Sequence, residues 1–351
     1  MKKILLIAYL LFFTAYTYAQ KRTEDIDFTT TENSVTDRKS LYTKVSLIDA
    51  RPDSTFFGIL QKGAFNAKAR VVPEVPIREQ LQKIILNIPH DENANGELVV
   101  YLRQLSLAEV TTAFSEKGYC YFQAYLFAKK EDGKYYLLDK EDSMIQHSAV
   151  DVTQALKKKS VALVNKFLVN NSSKVPLGTT GYTYEDIKKI DEFEKQELPL
   201  YTQTPLSEGG YKSYKSFKMQ KPDFELKKVE FKGDKISKVT SIVNGKEEKL
   251  KKDDVYAVVY QTTPYIYLDA ENAFVKMEKK DGDFLFTGKA KATADTGNII
   301  AATVFFGVIG GLIAAESNND TFLMKLDHLN GGHIHLKEVK KSQESSNDHF
   351  Y

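Results

Sequence analysis

The chain has 351 residues, with 49 Lys plus Arg against 47 Asp plus Glu, a formal balance of +2 that excludes a strongly polycationic or polyanionic protein. Its 42% hydrophobic and 27% charged content describes a globular chain, too apolar for a disordered one, and its length suits about two domains. The single Cys120 excludes a disulfide framework within one chain and a cysteine-cluster metal site.

Residues 1–19 read as a secretory signal peptide: Lys2 and Lys3 form a basic start, Ile4 to Phe13 an apolar run, and Thr17 and Ala19 a small-residue cleavage site. The run is short for a bilayer span, which needs about 20 residues. Cleavage after Ala19 removes two lysines and no acid, which takes 49 basic residues to 47, equal to the 47 acidic ones. No Cys lies near the junction to carry a lipid. The lysine pair, short core and Ala-Gln junction are of bacterial type, so the expected location is the periplasm, outer membrane or cell surface of a bacterium.

Residues 20–40 are polar and read as a mobile lead-in. Residues 41–170 read as one α+β domain. Lys44 to Ala50 alternates as a half-buried strand does, and Thr55 to Gln61 supplies a second. Pro76 to Ile88 places Ile77, Leu81, Ile84, Ile85 and Ile88 on one helical stripe. Leu98 to Leu107, Gly118 to Lys129 and Lys134 to Asp139 follow as strands, the last two joined at the Glu131-Asp132-Gly133 turn. A second helix runs from Asp151 through Leu168. The order β-β-α-β-β-β-α is satisfied by two helices laid on one face of a mostly antiparallel sheet.

Residues 171–181 (NSSKVPLGTTG) form the linker, and residues 182–340 a β-rich domain. A short helix is expected at Tyr184 to Glu194. Strands follow at Phe224 to Phe231, Lys235 to Val243, Asp254 to Tyr260, Tyr265 to Asp269, Phe274 to Lys279 and Asp283 to Lys289, the spacing of a small barrel or sandwich. Residues 341–351 read as a polar tail, expected to be disordered.

Pro199, Leu200 and Tyr201, then Gly210 to Ser213, Phe217 and Pro222, with a later Tyr265-Ile266-Tyr267, resemble a segment of uncharacterised two-domain secreted proteins of the bacterial envelope. The resemblance covers about half of the chain and is structural; it implies no activity. The element order of the first domain is similar, more loosely, to small α+β modules of envelope accessory proteins, such as the amino-terminal domain of the Tol translocation protein and the auxiliary lipoproteins of lipid transporters. This chain departs from the latter in having no Cys at the expected cleavage junction to lipidate.

Ile299 to Ala315 (IIAATVFFGVIGGLIAA) passes seventeen residues without a charge. Gly307 and Gly311 give an apolar helix a flat strip for close helix packing, with Phe305 and Phe306 beside it. A span of this length is at the lower limit for a bilayer, and the flanking Asp295, Glu316 and Asp320 lack basic or aromatic anchors. The segment is therefore expected as an embedded Gly-rich helix, with membrane attachment or a homo-oligomer seam as the other uses.

Asn330-Gly331 is a strong two-residue hairpin signal between Phe322 to Leu329 and Gly332 to Val339. That register sets His328 opposite His333, with His335 on the same face, a set that could ligate zinc or copper; a turn at Gly331-Gly332 would pair His328 with His335 instead, and a three-residue turn would break the set. The bland reading is a solvent-facing side of the hairpin. His90, His147 and His349 are isolated. Tyr211, Tyr214 and Phe217 interleave with Lys212, Lys215, Lys218 and Lys221; spacing three fits a core-packed helical turn better than a nucleic-acid platform. Cys120 sits in a strand pattern and reads as buried. The acidic pairs Glu247-Glu248 and Asp253-Asp254 read as charged turns. With no nucleophile elbow, phosphate loop or metalloprotease helix in the chain, the leading expectation is a non-catalytic envelope accessory protein that binds a protein partner or the membrane surface. The alternative is an envelope enzyme or a metal protein built on the histidine hairpin.

Overall fold

The computed structural model describes residues 22–30, 39–62, 67–111, 116–149, 152–243, 246–289 and 321–339. The signal segment with Ala19, the apolar segment with Phe305, Phe306, Gly307 and Gly311, and the tail lie outside the described residues. The architecture is mixed α+β and strand-rich, with a sheet curled into a half-barrel.

The first half of the chain builds β1 (Thr23–Ile26), β2 (Tyr42–Asp49), β3 (Gly58–Lys62), β4 (Ala67–Pro73), α1 (Ile77–Leu86), β5 (Gly96–Thr111), β6 (Glu116–Lys129), β7 (Tyr135–Ala149), α2 (Thr153–Asn171) and β8 (Gly181–Tyr182). The strands form one sheet in the order β1-β4-β3-β5-β6-β7-β8, with β2 also on β5. Four strands therefore precede the first helix where two were expected. β1 carries a lone apolar residue, Ile26, and shows no apolar alternation, whereas β4 alternates over only five residues, Ala67, Ala69 and Val71 against Lys68 and Arg70, before Val72 and Pro73. Nor is the sheet simply antiparallel: β1–β4, β2–β5 and β3–β5 are parallel pairs, while β5, β6 and β7 form a long antiparallel meander.

The expected mobile lead-in is corrected for residues 22–30. Ile26 and Phe28 are fully buried. Phe28 donates its backbone N–H to the buried Gln80 Oε1 at 2.6 Å and accepts at its carbonyl from Asn165 Nδ2 at 2.6 Å. Glu24, at the helix-facing side of β1, pairs with Lys157 of α2 at 2.5 Å.

Period-2 alternation in β5 sorts the two faces of the sheet. Leu98, Val100 and Leu102 join the core beneath α1 and α2, with Leu81, Ile85, Phe122, Leu156 and Phe167. Val99 and Tyr101 point the other way, against Tyr125, Phe127 and Tyr135. Cys120 is fully buried on the helix side, and burial pushes its thiol up to about 12. The outer edge of β2 is covered by α1: Val45 N–H donates to Gln82 Oε1 and Gln82 Nε2 donates to the Thr43 carbonyl, both at 2.9 Å. One glutamine amide thus stands in for a neighbouring strand.

The chain then returns to the first sheet. The expected single helix is two, α3 (Tyr184–Lys188) and α4 (Ile190–Gln196), meeting at Lys189. Thr183 and Asp186 form a reciprocal capping box that fixes the start of α3. Ile187 and Ile190 pack on the Val99–Tyr101–Phe127 face, so residues 181–196, on the far side of the linker, cover the outer face of the first sheet.

Beyond them come α5 (Pro199–Thr202), β9 (Gly209–Tyr211), α6 (Tyr214–Lys218), β10 (Leu226–Lys232), β11 (Lys235–Val243), β12 (Lys246–Lys249), β13 (Ala257–Tyr260), β14 (Thr263–Leu268), β15 (Ala273–Lys276), β16 (Glu278–Lys280), β17 (Asp283–Lys289), β18 (Thr321–Leu326) and β19 (His333–Val339). They form a sheet in the order β10-β11-β15-β14-β13-β9, with β12 on β11, and a second sheet in the order β16-β17-β18-β19. Val259, Ile266 and Val275 of one sheet share a core with Phe284, Phe286, Phe322 and Met324 of the other. Tyr211, Tyr214 and Phe217 are buried in that core, which leaves their rings no free stacking face. Among the described residues, no helix is long and apolar enough to cross a membrane.

Candidate functional site

The most unusual chemistry lies where the second half of the chain meets the first sheet. Arg103 follows Leu102 on β5 at a break in the β5–β6 register, where Leu102 opposes Ala124 and Gln104 opposes Gln123. Alternation with Val99 and Tyr101 sets the guanidinium on the outer face, 6% exposed, and the bulge shifts the phase beyond it so that Leu105 and Leu107 turn to the helix side. The guanidinium lies over the Tyr125 ring at 4.1 Å and near the Tyr101 ring at 5.2 Å.

Helix α4 supplies the counter-charges. Asp191 and Glu194 are three apart, hence on one face of the helix. Arg103 Nη2 reaches Glu194 Oε2 at 2.5 Å and Asp191 Oδ1 at 2.9 Å. Tyr125 donates to Glu194 Oε1 at 2.6 Å and Tyr101 to Asp191 Oδ1 at 3.0 Å. Lys140 of β7 lies 3.8 Å from Glu194.

The third contributor is the β18–β19 hairpin. Its last ladder pair is Leu326 with His333, and Asp327 to Gly332 form the turn, closed by bonds from Asp327 N–H to the Gly332 carbonyl and from Gly331 N–H to the Asp327 carbonyl, both 2.8 Å. His328 Nε2 lies 2.9 Å from Glu194 Oε2. Tyr214 donates to the His328 carbonyl at 2.6 Å, Tyr256 to the Gly331 carbonyl at 2.7 Å, and Asn330 Nδ2 to the Tyr121 hydroxyl at 3.3 Å. Gly331 has φ +80°, and a Cβ there would fall 2.3 Å from the Tyr214 ring. Only glycine fits both demands.

The electrostatics follow from burial and pairing. Burial alone would raise Glu194, but the His328 hydrogen bond, the Arg103 charge and the Tyr125 hydroxyl together hold it down at about 2. Burial works against the Arg103 charge, yet Asp191 and Glu194 outweigh it and keep the guanidinium protonated. Asp327 is buried in the turn, and burial raises it above the usual carboxylate range despite the Leu329 N–H and the nearby His328 and Arg103.

The histidine expectation is corrected at this turn. The two-residue turn at Asn330-Gly331 is a longer one, so His328 leaves the ladder and faces Glu194. His333 and His335 stay on β19, opposite Leu326 and Met324, and lean on core aromatics: His333 against Phe286 at 5.0 Å and His335 against Phe322 at 4.9 Å. Burial pushes His333 down to about 4 and, with its neighbour's charge, His335 down to about 3. His328, His333 and His335 therefore do not meet as a ligand set. Among the described residues, the one cluster with metal-ligand atoms within 4.8 Å of one another is Asp191, Glu194 and His328. Arg103 Nη2 already sits between its two carboxylates, so a divalent zinc or copper ion would have to displace a buried guanidinium. The donor set fits an arginine, not a metal.

Sequence reasoning did not single out Arg103, Asp191 or Glu194. An arginine inside the apolar run Leu98 to Leu107, and acids three apart on a short helix, were the available signals.

No family model matches the chain, and no curated protein matches it. Two solved structures are similar at 10% identity. One, titled only as an uncharacterized protein, covers 42% of this chain and 96% of its own, with a TM-score of 0.23. The other, protein XCC0632 from Xanthomonas campestris, of the DUF330 family, covers 43% and 92%, with a TM-score of 0.24. At that level neither lends this chain a function or a site.

Proposed function

We propose that this is an exported, non-catalytic accessory protein of the bacterial envelope, in which the Ile299 to Ala315 segment is presented to a protein partner from the end of the β17–β18 ladder. The observation that carries the reading is the β17–β18 ladder, in which Lys289 pairs with Thr321. The 31 residues between them leave and return at one place. A single membrane crossing is incompatible with that pairing, because it would put the two strands on opposite sides. A chain that goes out and back divides seventeen apolar residues into arms of about eight, each rising about 12 Å as helix, well short of a hydrocarbon core of about 30 Å. The flanking Asp295, Glu316 and Asp320 also disfavour an anionic lipid surface. The joint supports this reading: the Arg103, Asp191 and Glu194 charges are paired with each other, as in a structural clamp.

The test is a photocrosslinking amino acid placed at Phe305, and separately at Phe306, in cells. A discrete adduct to another envelope protein is expected. Adducts to lipid alone would favour the membrane surface, adducts to a second copy an oligomer seam, and crosslinks confined within the chain a buried helix; each of these would end the partner reading.

A further inference from the structure

The first sheet has an unequal pair of edges. β8 covers only Tyr135 and Tyr136 of β7. The linker passes Leu137 and Asp139, through Gly178 near the Leu137 carbonyl and Lys174 near the Asp139 carboxylate. From Lys140 to Ala149, the side of β7 turned away from β6 has no strand against it among the described residues. In an antiparallel ladder alternate residues turn their N–H and C=O groups outward; the Lys140 N–H is taken by Asp139 Oδ1 at 2.8 Å, and beyond it the stretch offers a row of donors and acceptors with no strand against them among the described residues. By contrast, the outer edge of β2 is capped by Gln82.

The charges along this edge are distributed unevenly. Asp139, Lys140, Glu141 and Asp142 are consecutive, and no Asp, Glu, Lys or Arg follows from Ser143 to Ala149. Charge on an exposed edge discourages pairing with a like strand. Here it guards one half and leaves the other open.

We propose that the free edge of β7 pairs antiparallel with the same edge of a second copy of this chain, across a two-fold axis near Met144. That axis sets the charged half of each copy against the uncharged half of the other. Asp142 then faces Gln146 of the second copy, Glu141 faces His147 of the second copy, and Lys140 faces Ser148 of the second copy. No like charges oppose one another. A parallel, in-register pairing would set Asp139, Glu141 and Asp142 each against its own copy, which is destabilising. The axis stands perpendicular to the sheet, so the outer-face residues Lys140, Asp142, Met144, Gln146 and Ser148 of both copies lie on one side of the joined sheet. The interface is isologous, the commonest form of closed homo-oligomer.

The test combines sedimentation with a cysteine scan. Purified protein is expected to sediment as a dimer at concentrations of about 100 µM. Lys140→Cys, Asp142→Cys, Met144→Cys, Gln146→Cys and Ser148→Cys are then oxidised one at a time with copper phenanthroline. Cys120 is buried and silent. Directly opposed residues have Cα atoms about 4.5–5.5 Å apart, within disulfide reach. A residue four places from the axis is eight residues from its own copy, about 27 Å along the strand. Disulfide-linked dimer is therefore expected to peak at Met144→Cys and to fall at least tenfold at Lys140→Cys and Ser148→Cys. A monomer at 100 µM would overturn the proposal. So would a dimer whose cross-linking is flat along the strand, or no greater from Asp142 to Gln146 than at the ends; such a dimer would be joined elsewhere.

Discussion

Replacing Arg103 by Met should loosen the joint between the first sheet and the hairpin. Methionine keeps an unbranched apolar stem against the Tyr125 ring but removes the charge that Asp191 and Glu194 share. Their side chains are 29% and 19% exposed, so water can reach them in part. Removing one partner of a fully buried pair costs about 3–5 kcal/mol; partial exposure brings the expected loss to about 2–3 kcal/mol. The acid limb offers an independent measure. Glu194 is held at about 2 against an ordinary 4.5, which corresponds to about 3 kcal/mol before allowance for solvent, and about 2 after it. A depressed carboxylate contributes stability that is present above its unfolded value, near 4.5, and is lost as pH falls toward about 2. Urea unfolding, followed by circular dichroism at pH 7, should show a lower midpoint in Arg103→Met. Between pH 4.5 and pH 2, Glu194→Gln should lose less stability than the parent does. An unchanged midpoint in Arg103→Met, together with an unchanged acid limb in Glu194→Gln, would refute the clamp.

Four further outcomes follow from the structure. Gly331→Ala should destabilise by about 2 kcal/mol or more, since it adds a Cβ 2.3 Å from the Tyr214 ring at φ +80°; thermal unfolding would measure it. His333 is held neutral by burial, so the unfolded chain takes up its proton first: stability should fall as pH drops from about 6.5 toward 4, and His333→Leu should flatten that slope in urea titrations. Because Arg103 fills the place between Asp191 and Glu194, elemental analysis should find equal zinc and copper in the parent and His328→Ala after chelation and dialysis. Gln82→Ala uncaps the β2 edge and should cost about 1–2 kcal/mol, with faster aggregation by light scattering.

The long elements were legible because their burial repeats. The stripe Ile77, Leu81, Ile84 and Ile85 makes α1 visible from the chain alone, and the alternating Leu98, Val100 and Leu102 does the same for β5. β1 was illegible for the opposite reason. Its place depends on Glu24 meeting Lys157, and on Phe28 meeting Gln80 and Asn165, partners more than fifty residues away. The hairpin was legible as a hairpin, but its turn was not: a longer Asp327 to Gly332 turn is stabilised by Tyr214 and Tyr256, which no local rule brings there. The same limit hid the joint. Alternation alone sets Arg103 on the outer face, but its partners come from a helix that follows the linker and, through Glu194, from a turn hundreds of residues on.

The adjacency of Lys289 and Thr321 also bears on how readily the excursion between them could be exchanged. Closing a loop costs free energy only as the logarithm of its length, so 31 residues in place of about four add roughly 2 kcal/mol. The β17–β18 pairing should therefore tolerate replacement of residues 290–320 by a short Asn-Gly turn, or by an unrelated sequence, with the sheet intact. In that sense the excursion is a graft site: the ladder beneath it sets where its ends lie and imposes little on what is carried between them.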